Sequence, residues 1–314
     1  MQNTKRSNKN KAGSQHPNNP HRGRYDFVRL LGSNSELKKY IIPNPKGDNT
    51  IDFSDPEAVL CLNAALLSSY YNIKKWRIPE GFLCPPVPGR ADYIHYAADL
   101  IAETAGENIP KGEKVNVLDI GTGAGCIYPI IGSQSYGWNF VATDIEPRAV
   151  KSSRWIVQSN PCLKDKVTVV HQKNKKHILK GIINKGDQFH LTVCNPPFHS
   201  SRAKAENANK RKWKNLNLEQ NAGKLNFGGR NSELWCPGGE FGFIKKMAEE
   251  SREFAGQVCW FTSLVSNGNN VAPLKKLIKN IGAVQIEIIE MNLGQKSSRI
   301  IAWSFMNKDK RIEL

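Results

Sequence analysis

The feature that most constrains the fold of this chain is a short apolar run that ends in a glycine-rich loop. Residues 115–125 read VNVLDIGTGAG, and the apolar start of this run is typical of a buried strand. The glycines that follow allow the backbone to turn sharply and to approach a bound molecule closely. Downstream, helical and strand-like patterns alternate, which predicts a parallel, doubly wound α/β sheet. In such a sheet the glycine loop lies at the carboxyl end of a strand, where ligands bind.

The spacing of this glycine loop narrows the kind of ligand it can hold. The glycines of residues 121–125 follow the pattern Gly-x-Gly-x-Gly, whereas a dinucleotide fingerprint needs its third glycine at the position of Cys126. No Gly-Lys-Ser/Thr is present, which excludes a phosphate-cradling P-loop. Asp119 precedes the loop, and Asp144 ends the next apolar run, where a carboxylate can hold a ribose diol. These features predict S-adenosylmethionine, which has a ribose and a cationic centre but no pyrophosphate. The residues expected to bind it are Asp119, Gly121, Thr122, Gly123, Gly125 and Asp144.

A second informative segment, Asn195-Pro196-Pro197-Phe198, follows the apolar run His190 to Cys194. The prolines fix the backbone and remove donors, so this segment has few conformations to lose. It presents the Asn195 amide oxygen and the Pro196 carbonyl oxygen as acceptors beside an aromatic ring. Two fixed acceptors next to an aromatic face suit a planar group with an exocyclic NH2. An ordinary turn after a strand is the alternative reading of this segment alone. The predicted catalytic residues are Asn195, Pro196, Pro197 and Phe198, and Asn195 is also assigned to the cofactor site.

Several stretches resemble a known enzyme family, and the similarity runs from about Tyr25 to the C-terminus. Residues 88–101 (PGRADYIHYAADLI), 118–132 (LDIGTGAGCIYPIIG) and 194–198 (CNPPF) resemble the ribosomal RNA large subunit methyltransferase F family. Its eukaryotic relative is the methyltransferase-like sixteen protein. The resemblance implies a class I, S-adenosylmethionine-dependent methyltransferase that modifies the N6 amino group of one adenosine in 23S ribosomal RNA. It also implies that Arg90 reaches the carboxylate of the cofactor's methionine part.

The charge of the chain favours a polyanionic partner. The formal net charge is +17, and basic side chains bind nucleic acid by neutralising phosphates. Residues 1–24 contain basic side chains, no acid and few apolar residues, so this arm cannot fold alone but can lie along a phosphate backbone. The segment 199–239 is a basic strip with interleaved aromatic residues, which suits an unpaired RNA strand; a disordered surface insertion is the alternative. The candidate RNA-binding residues are Lys5, Arg6, Arg22, Arg24, Arg202, Lys204, Lys210, Arg211, Lys212 and Lys214.

The sequence predicts three regions with different roles. They are a basic disordered arm (1–24), an N-terminal helical auxiliary region (25–110) and a Rossmann-like methyltransferase domain (111–314) with the insertion 199–239. In the auxiliary region, Ser54 is the expected N-cap of one helix, with Pro56 in its first turn. A second helix is expected from Ala91 to about Ala105, which leaves Arg90 just before its start. Near the C-terminus, two strands are expected to form an antiparallel edge of the sheet.

The seven cysteines are scattered, and neither they nor the histidines have the spacing of a metal site. They are expected to be reduced structural thiols of a cytosolic protein. A catalytic thiol is the alternative for Cys194, but its place inside a predicted strand favours a core residue. The chain contains neither a signal-peptide pattern nor an apolar run long enough to span a membrane. We therefore expect a cytoplasmic monomer without metal or membrane partner, acting on 23S ribosomal RNA or a large-subunit assembly intermediate.

The same motifs leave other functions open. Guanine-N2 methyltransferases of ribosomal RNA can share the Asn-Pro-Pro-Phe loop, and a protein glutamine amide offers the same NH2 geometry. An RNA-binding assembly factor could also retain an idle methyltransferase fold. The basic arm and insertion argue against a protein substrate, and the intact motif residues argue against an idle fold.

Overall fold

A computed structural model of the chain describes residues 15–106, 108–201, 231–293 and 296–312. The strands in these residues are β1 (Ile41–Pro43), β2 (Asn49–Ile51), β3 (Asn116–Ile120), β4 (Asn139–Asp144), β5 (Val167–His171), β6 (Phe189–Cys194), β7 (Val258–Val265), β8 (Gln285–Leu293) and β9 (Lys296–Ser304). The helices are α1 (Phe27–Ser33), α2 (Pro56–Tyr71), α3 (Val87–Ala105), α4 (Ile127–Tyr136), α5 (Pro147–Ser159), α6 (Pro161–Lys164), α7 (Asn231–Leu234), α8 (Gly239–Ser251), α9 (Val271–Asn280) and α10 (Lys308–Ile312).

The centre of the fold is a seven-stranded sheet with the strand order β5-β4-β3-β6-β7-β9-β8. β3 pairs in parallel with β4 on one side and with β6 on the other. The direction of strand order therefore reverses between β3 and β6. β9 runs antiparallel to both β7 and β8. The predicted doubly wound sheet with an antiparallel edge is confirmed.

Both faces of this sheet are covered by helices, as a parallel sheet requires. Val117 of β3 packs in a hydrophobic cluster with side chains of α1 to α5. Leu118, the next residue, points to the opposite face and packs with side chains of α8 and α9. Because side chains on both faces of β3 are buried, its sequence is a nearly continuous apolar run rather than an alternation of apolar and polar residues.

The N-terminal helices share the first of these clusters, since α1, α2 and α3 pack in the same core as α4 and α5. The region also contains a two-stranded antiparallel sheet of β1 and β2, which the sequence analysis did not predict. The expected N-cap of α2 is wrong by one residue. Asp55 caps this helix by accepting the Glu57 N–H at 2.9 Å, whereas Ser54 donates to Asp52. Because Pro56 occupies the first helical position, the capping residue is the one directly before it.

Helix α3 begins at Val87, four residues earlier than expected, with a proline in its first turn. Arg90 therefore lies inside the first turn, where its N–H donates to the Pro86 carbonyl at 3.3 Å. The expectation that Arg90 precedes the helix is wrong. A proline in the first turn was the available signal, because proline fits there without losing a hydrogen bond.

Part of the expected arm is folded. His16, Asn19 and His21 are 3%, 3% and 6% exposed. The His16 N–H and the Asn19 amide both donate to Asp92 of α3, at 2.9 and 2.6 Å, and the His21 ring bonds the Tyr71 hydroxyl at 2.9 Å. The expected boundary at residue 24 is thus too late, because His16, Asn19 and His21 hold this part of the arm on α2 and α3. Residues 1–14 lie outside the described residues.

Candidate active site

The motif residues lie together at the carboxyl edge of the sheet. Ile120, which ends β3, pairs with Thr143 of β4 and with Cys194 of β6. The residues that directly follow these three positions are Gly121, Asp144 and Asn195. They lie where the strand order reverses, which is where open α/β sheets bind ligands. The prediction that the three motifs share one edge is confirmed.

The glycine loop is fixed to the end of β4. The N–H groups of Gly121 and Thr122 both donate to the Thr143 carbonyl, at 2.9 and 2.8 Å. Gly121 and Gly123 have φ angles of 75° and 65°, a left-handed backbone that costs glycine little and other residues more. Both glycines are therefore required by the turn itself, independently of any ligand.

Side chains from α5 and from the loop between α2 and α3 hold the rest of the glycine loop. The Ser153 hydroxyl of α5 donates to the Gly123 carbonyl at 2.7 Å, and the Trp76 indole N–H donates to the Gly125 carbonyl at 2.9 Å. Cys126, the N-cap residue directly before α4, adopts a left-handed φ of 52° and is buried. The loop is thus held in one shape before any ligand arrives.

Asp144 has its carboxylate oriented by two main-chain N–H groups. One oxygen accepts the Gly123 N–H at 2.9 Å and the other accepts the Glu146 N–H at 2.8 Å. Burial raises the pKa of this carboxyl, and these two hydrogen bonds oppose the rise. Each carboxylate oxygen has a further lone pair, so the fixed group can still accept from a ligand hydroxyl.

Asp119 is fully buried beneath the loop, at 0% exposure. Neither of its oxygens has a hydrogen-bond partner among the described residues. Burial raises the pKa of this carboxyl to about 7; the nearby Thr122 hydroxyl opposes the rise, Asp144 adds to it and the Arg90 cation opposes it. A buried carboxyl with unmet hydrogen-bonding capacity suits a site that receives positive charge.

The start of the acceptor loop, residues 195–198, is anchored by a chain of buried hydroxyl groups. The Cys194 N–H donates to the Tyr93 hydroxyl at 3.2 Å, and this hydroxyl bonds Thr262 Oγ1 at 2.7 Å. Thr262 Oγ1 in turn donates to the Thr192 carbonyl at 2.6 Å. Asn195 Oδ1 is buried and has no hydrogen-bond partner in the part of the chain that the structure describes. The side chain predicted to accept an amine therefore has an unmet acceptor.

The end of the acceptor loop is anchored by residues that follow the insertion. The His199 N–H donates to the Leu234 carbonyl at 2.9 Å, and the Cys236 N–H donates back to the His199 carbonyl at 3.1 Å. A Cβ atom added to Gly239 would lie 3.2 Å from the Phe198 carbonyl oxygen. The close packing at Gly239 and the bonds at His199 fix the loop at its second end.

Arg90 approaches the site from α3. Its side chain is half-buried, and its guanidinium carbon lies 5.7 Å from the centroid of the Tyr128 ring. Its positive charge opposes the rise in the pKa of Asp119, so this cation lies near the buried carboxyl. The arrangement offers one cation and several carboxylates to a ligand bound over the glycine loop.

The candidate RNA-binding residues are only partly described. Arg22 and Arg24 are exposed; the Arg24 guanidinium pairs with Asp48 at 2.7 Å and Arg22 donates to the Pro17 carbonyl at 3.4 Å. The others lie outside the described residues: Lys5, Arg6, Arg202, Lys204, Lys210, Arg211, Lys212 and Lys214.

Three other sequence interpretations can be compared with the structure. Cys194 is fully buried, and burial raises the pKa of its thiol well above the usual range, which disfavours a thiolate nucleophile. Within the described ranges, no group of three or more His, Cys, Asp or Glu side chains is arranged to hold a metal ion. None of the described helices is long and apolar enough to cross a membrane.

Sequence reasoning missed two contributors to the site. Tyr93 lies on α3, and nothing in the sequence links its hydroxyl to Cys194, which lies 101 residues away. Glu233 lies in the segment 199–239, which was interpreted from its basic and aromatic residues. Its Oε2 accepts the Leu83 N–H at 3.1 Å across 150 residues. A lone acid beside an apolar residue, after a long basic stretch, was the only available signal.

The chain matches a family described as RNA methyltransferase over residues 9–307. The ribosomal RNA large subunit methyltransferase F of Desulfotalea psychrophila is 62% identical over 299 residues, which cover 94% of this chain and 96% of the relative. The protein of the same name from Flavobacterium johnsoniae is 49% identical over 310 residues, covering 98% of each chain.

Solved structures agree with this assignment. The catalytic domain of human METTL16, in complex with a MAT2A 3′UTR hairpin, superposes with a TM-score of 0.79 at 28% identity, covering 94% of this chain and 96% of that one. The N-terminal domain of human METTL16 in complex with SAH gives a TM-score of 0.74 at 26% identity, covering 94% and 100%. The resemblance inferred from the motifs is confirmed, and the chain belongs to this RNA methyltransferase family.

Proposed function

We propose that this protein uses S-adenosylmethionine to methylate the N6 amino group of one adenosine in 23S ribosomal RNA. The observation that carries the proposal is the buried Asn195 Oδ1, which has no hydrogen-bond partner among the described residues and lies at the point where the strand order reverses. The relatives named ribosomal RNA large subunit methyltransferase F support the RNA target. The METTL16 structures with SAH and with an RNA hairpin support the cofactor and an RNA substrate.

The described residues fit S-adenosylmethionine. Asp144, held by two main-chain N–H groups, would accept the ribose hydroxyls. Arg90 would pair with the methionine carboxylate. Asp119 would lie near the positive charge of the ligand, which favours the ionised form of a carboxyl whose pKa burial raises to about 7. When bound, S-adenosylmethionine supplies a methyl group on a positively charged sulfur. The proposed cofactor-binding residues are Arg90, Asp119, Gly121, Thr122, Gly123, Gly125, Asp144 and Asn195.

The acceptor loop compensates for the weak nucleophilicity of an adenine amino group, whose lone pair is delocalised into the ring. The two N–H groups of the amine would donate to Asn195 Oδ1 and to the Pro196 carbonyl oxygen. Both acceptors favour the more pyramidal nitrogen that attacks the methyl carbon, which is catalysis by positioning and electrostatics. Phe198 would stack on a base that is extruded from its helix or already unpaired. The extra amino proton leaves to solvent after transfer, so no strong base is required.

The basic residues outside the sheet edge would supply phosphate contacts. Arg22 and Arg24 lie exposed on the docked part of the arm, and the remaining RNA-binding candidates complete this set. Such contacts give salt-dependent affinity without sequence discrimination. The choice of nucleotide therefore belongs to the acceptor pocket and to the shape of the RNA around it.

The variant Asn195→Ala tests the acceptor role. Losing one of the two acceptors should lower the rate of methyl transfer to ribosomal RNA by about 100-fold or more. The affinity for S-adenosylhomocysteine, measured by calorimetry, should remain within about twofold, because the carboxylates and Arg90 hold that ligand.

The matched control is Asn280→Ala, which removes an exposed asparagine at the end of α9 and should retain full activity. Full activity of Asn195→Ala would rule out the acceptor role. A complete loss of cofactor binding in that variant would contradict the assignment of most cofactor contacts to residues other than Asn195.

A further inference from the structure

Glu233 joins three parts of the chain that are distant in sequence. It lies on α7, after the insertion, and its Oε2 accepts the Leu83 N–H from the segment before α3 at 3.1 Å. Its Oε1 lies 3.5 Å from the position that a Cβ atom on Gly123 would occupy. A carboxylate oxygen therefore lies beside the Cα of Gly123, on the side where a side chain would stand.

The side of the loop that Glu233 approaches is defined by Gly123. The Gly123 N–H donates to Asp144, and its carbonyl accepts the Ser153 hydroxyl, so both main-chain polar groups are already paired with residues other than Glu233. Glu233 approaches the Cα face instead, where glycine has no side chain. Gly123 is only half-buried, which leaves this face accessible to a ligand over the loop.

The position of Glu233 is fixed by the same contacts that anchor the acceptor loop. Leu234, the next residue, accepts the His199 N–H at 2.9 Å, and Cys236 donates to the His199 carbonyl. The carboxylate is thus held on the glycine loop by main-chain pairing on one side and by Leu83 on the other.

The charges around the loop are unusual for this chain. The chain has a net charge of +17, yet Asp119, Asp144 and Glu233 all approach one loop. Asp144 accepts the Gly123 N–H and is proposed for the ribose hydroxyls, and Asp119 lies buried beneath the loop. Glu233 is the carboxylate on the outer face. The methionine part of S-adenosylmethionine carries a carboxylate, for which Arg90 is proposed, and an ammonium group, which needs an anion.

We infer that Glu233 is a further cofactor-binding residue, which accepts a charge-assisted hydrogen bond from the α-ammonium group of the methionine part. Arg90 and Glu233 then bind the two ends of the same zwitterion. This inference rests on the proposed use of S-adenosylmethionine. It extends the cofactor site to a residue that follows the insertion, so that one segment supports both the cofactor and the acceptor loop.

Calorimetry with two ligands separates this role from a structural one. S-adenosylhomocysteine carries the ammonium group, whereas 5′-methylthioadenosine lacks the whole amino-acid part. Glu233→Gln keeps an acceptor for the Leu83 N–H and removes the charge. The affinity for S-adenosylhomocysteine should fall by about tenfold, because a charge-assisted bond is lost. The affinity for 5′-methylthioadenosine should stay within about twofold of the wild-type value.

Glu253→Gln is the matched control, since Glu253 pairs with Lys180 away from the loop, and it should bind both ligands as the wild type does. Glu233→Ala also removes the bond to Leu83 and, with folding checked by thermal melting, gives a second comparison of the same two ligands. The inference would be overturned if Glu233→Gln lowered the affinity for both ligands equally, or lowered neither affinity. Failure of the wild type to bind S-adenosylhomocysteine would instead contradict the proposed function.

Discussion

Asn195 and Asp119 have buried oxygens without hydrogen-bond partners among the described side chains and main chain. Leaving such groups unpaired costs free energy, and a ligand that pairs them recovers it. The two residues differ in what they lack: Asn195 needs a donor, whereas Asp119 needs positive charge. Both residues were predictable as site candidates, because each lies in a recognisable motif of the sequence. Their burial was not, because it depends on how α3, the glycine loop and β6 pack together.

The raised pKa of Asp119 makes cofactor binding depend on pH. Burial raises this pKa to about 7, above the ordinary value of 3.8. Below pH 7 the carboxyl of the free protein is protonated, so binding a cationic ligand must release a proton. The affinity for S-adenosylmethionine should therefore rise with pH up to about 7 and then level off.

Calorimetry in buffers of different ionisation enthalpy measures this proton release directly. Asp119→Asn should abolish the release and flatten the pH profile. The same substitution should raise the Tm of the ligand-free protein at pH 8, because an acid with a raised pKa destabilises the fold wherever it is ionised. Binding without proton release at pH 6 would contradict this electrostatic role.

At the scale of elements, the ends of β3, β4 and β6 were largely predictable, because each motif follows an apolar run. The start of α3 and the cap of α2 lie at other residues than predicted. In both helices a proline determines the position of the first turn, which the apolar pattern does not show. The contacts between residues 233–239 and residues 198–200 could not be predicted. They join two ends of a long insertion, and only the folded sheet brings these ends together.

Gly239 provides a test of this anchoring. It has a φ of 61°, and an added Cβ would lie 3.1 to 3.2 Å from main-chain atoms of Phe198, His199 and Ser200. Gly239→Ala should therefore displace the acceptor loop. Because misplacement of about 1 Å can cost 100-fold in rate, we expect kcat to fall by roughly 10- to 100-fold, with the affinity for S-adenosylhomocysteine nearly unchanged.

Gly256→Ala is the matched control, since no atom lies within 4 Å of its added Cβ and its φ is not left-handed. This variant should have wild-type kcat. An equal kcat in both alanine variants would show that the acceptor loop does not depend on Gly239.

At the scale of the whole molecule, composition predicted the basic charge and the polar arm but not the docking of residues 15–24. Polar residues can be buried when each finds a partner, and the partners here are on α2 and α3. His21 of this region and His95 of α3 are buried, and each has one ring nitrogen without a partner within the described structure, His21 Nδ1 and His95 Nε2. Composition cannot reveal such pairing, because it depends on residues far apart in the chain.

These histidines should make the fold sensitive to acid. Burial lowers the pKa of both from 6.5 to about 4; the neighbouring His95 and Arg29 charges add to the shift at His21, and the His16 charge adds to it at His95 while Asp99 opposes it. Because the pKa of each histidine is lower in the folded protein, the unfolded chain binds its protons at a higher pH. Stability should therefore fall as the pH drops from about 6.5 towards 4, by a few kcal/mol in total.

Urea denaturation at pH 7 and at pH 5 measures this loss. The double variant His21→Asn, His95→Asn should show a much smaller difference between the two pH values, whatever its absolute stability. An unchanged difference in the double variant would assign the acid sensitivity to other groups.

The central claim is that the acceptor loop presents an adenine amino group of large-subunit ribosomal RNA to a methyl donor. Mass spectrometry of nucleosides from the ribosomal RNA of cells with and without the gene tests it most directly. The account predicts the loss of one N6-methyladenosine from 23S ribosomal RNA, restored by the wild-type gene and not by Asn195→Ala. Loss of an N2-methylguanosine, or an unchanged set of modified nucleosides, would contradict it.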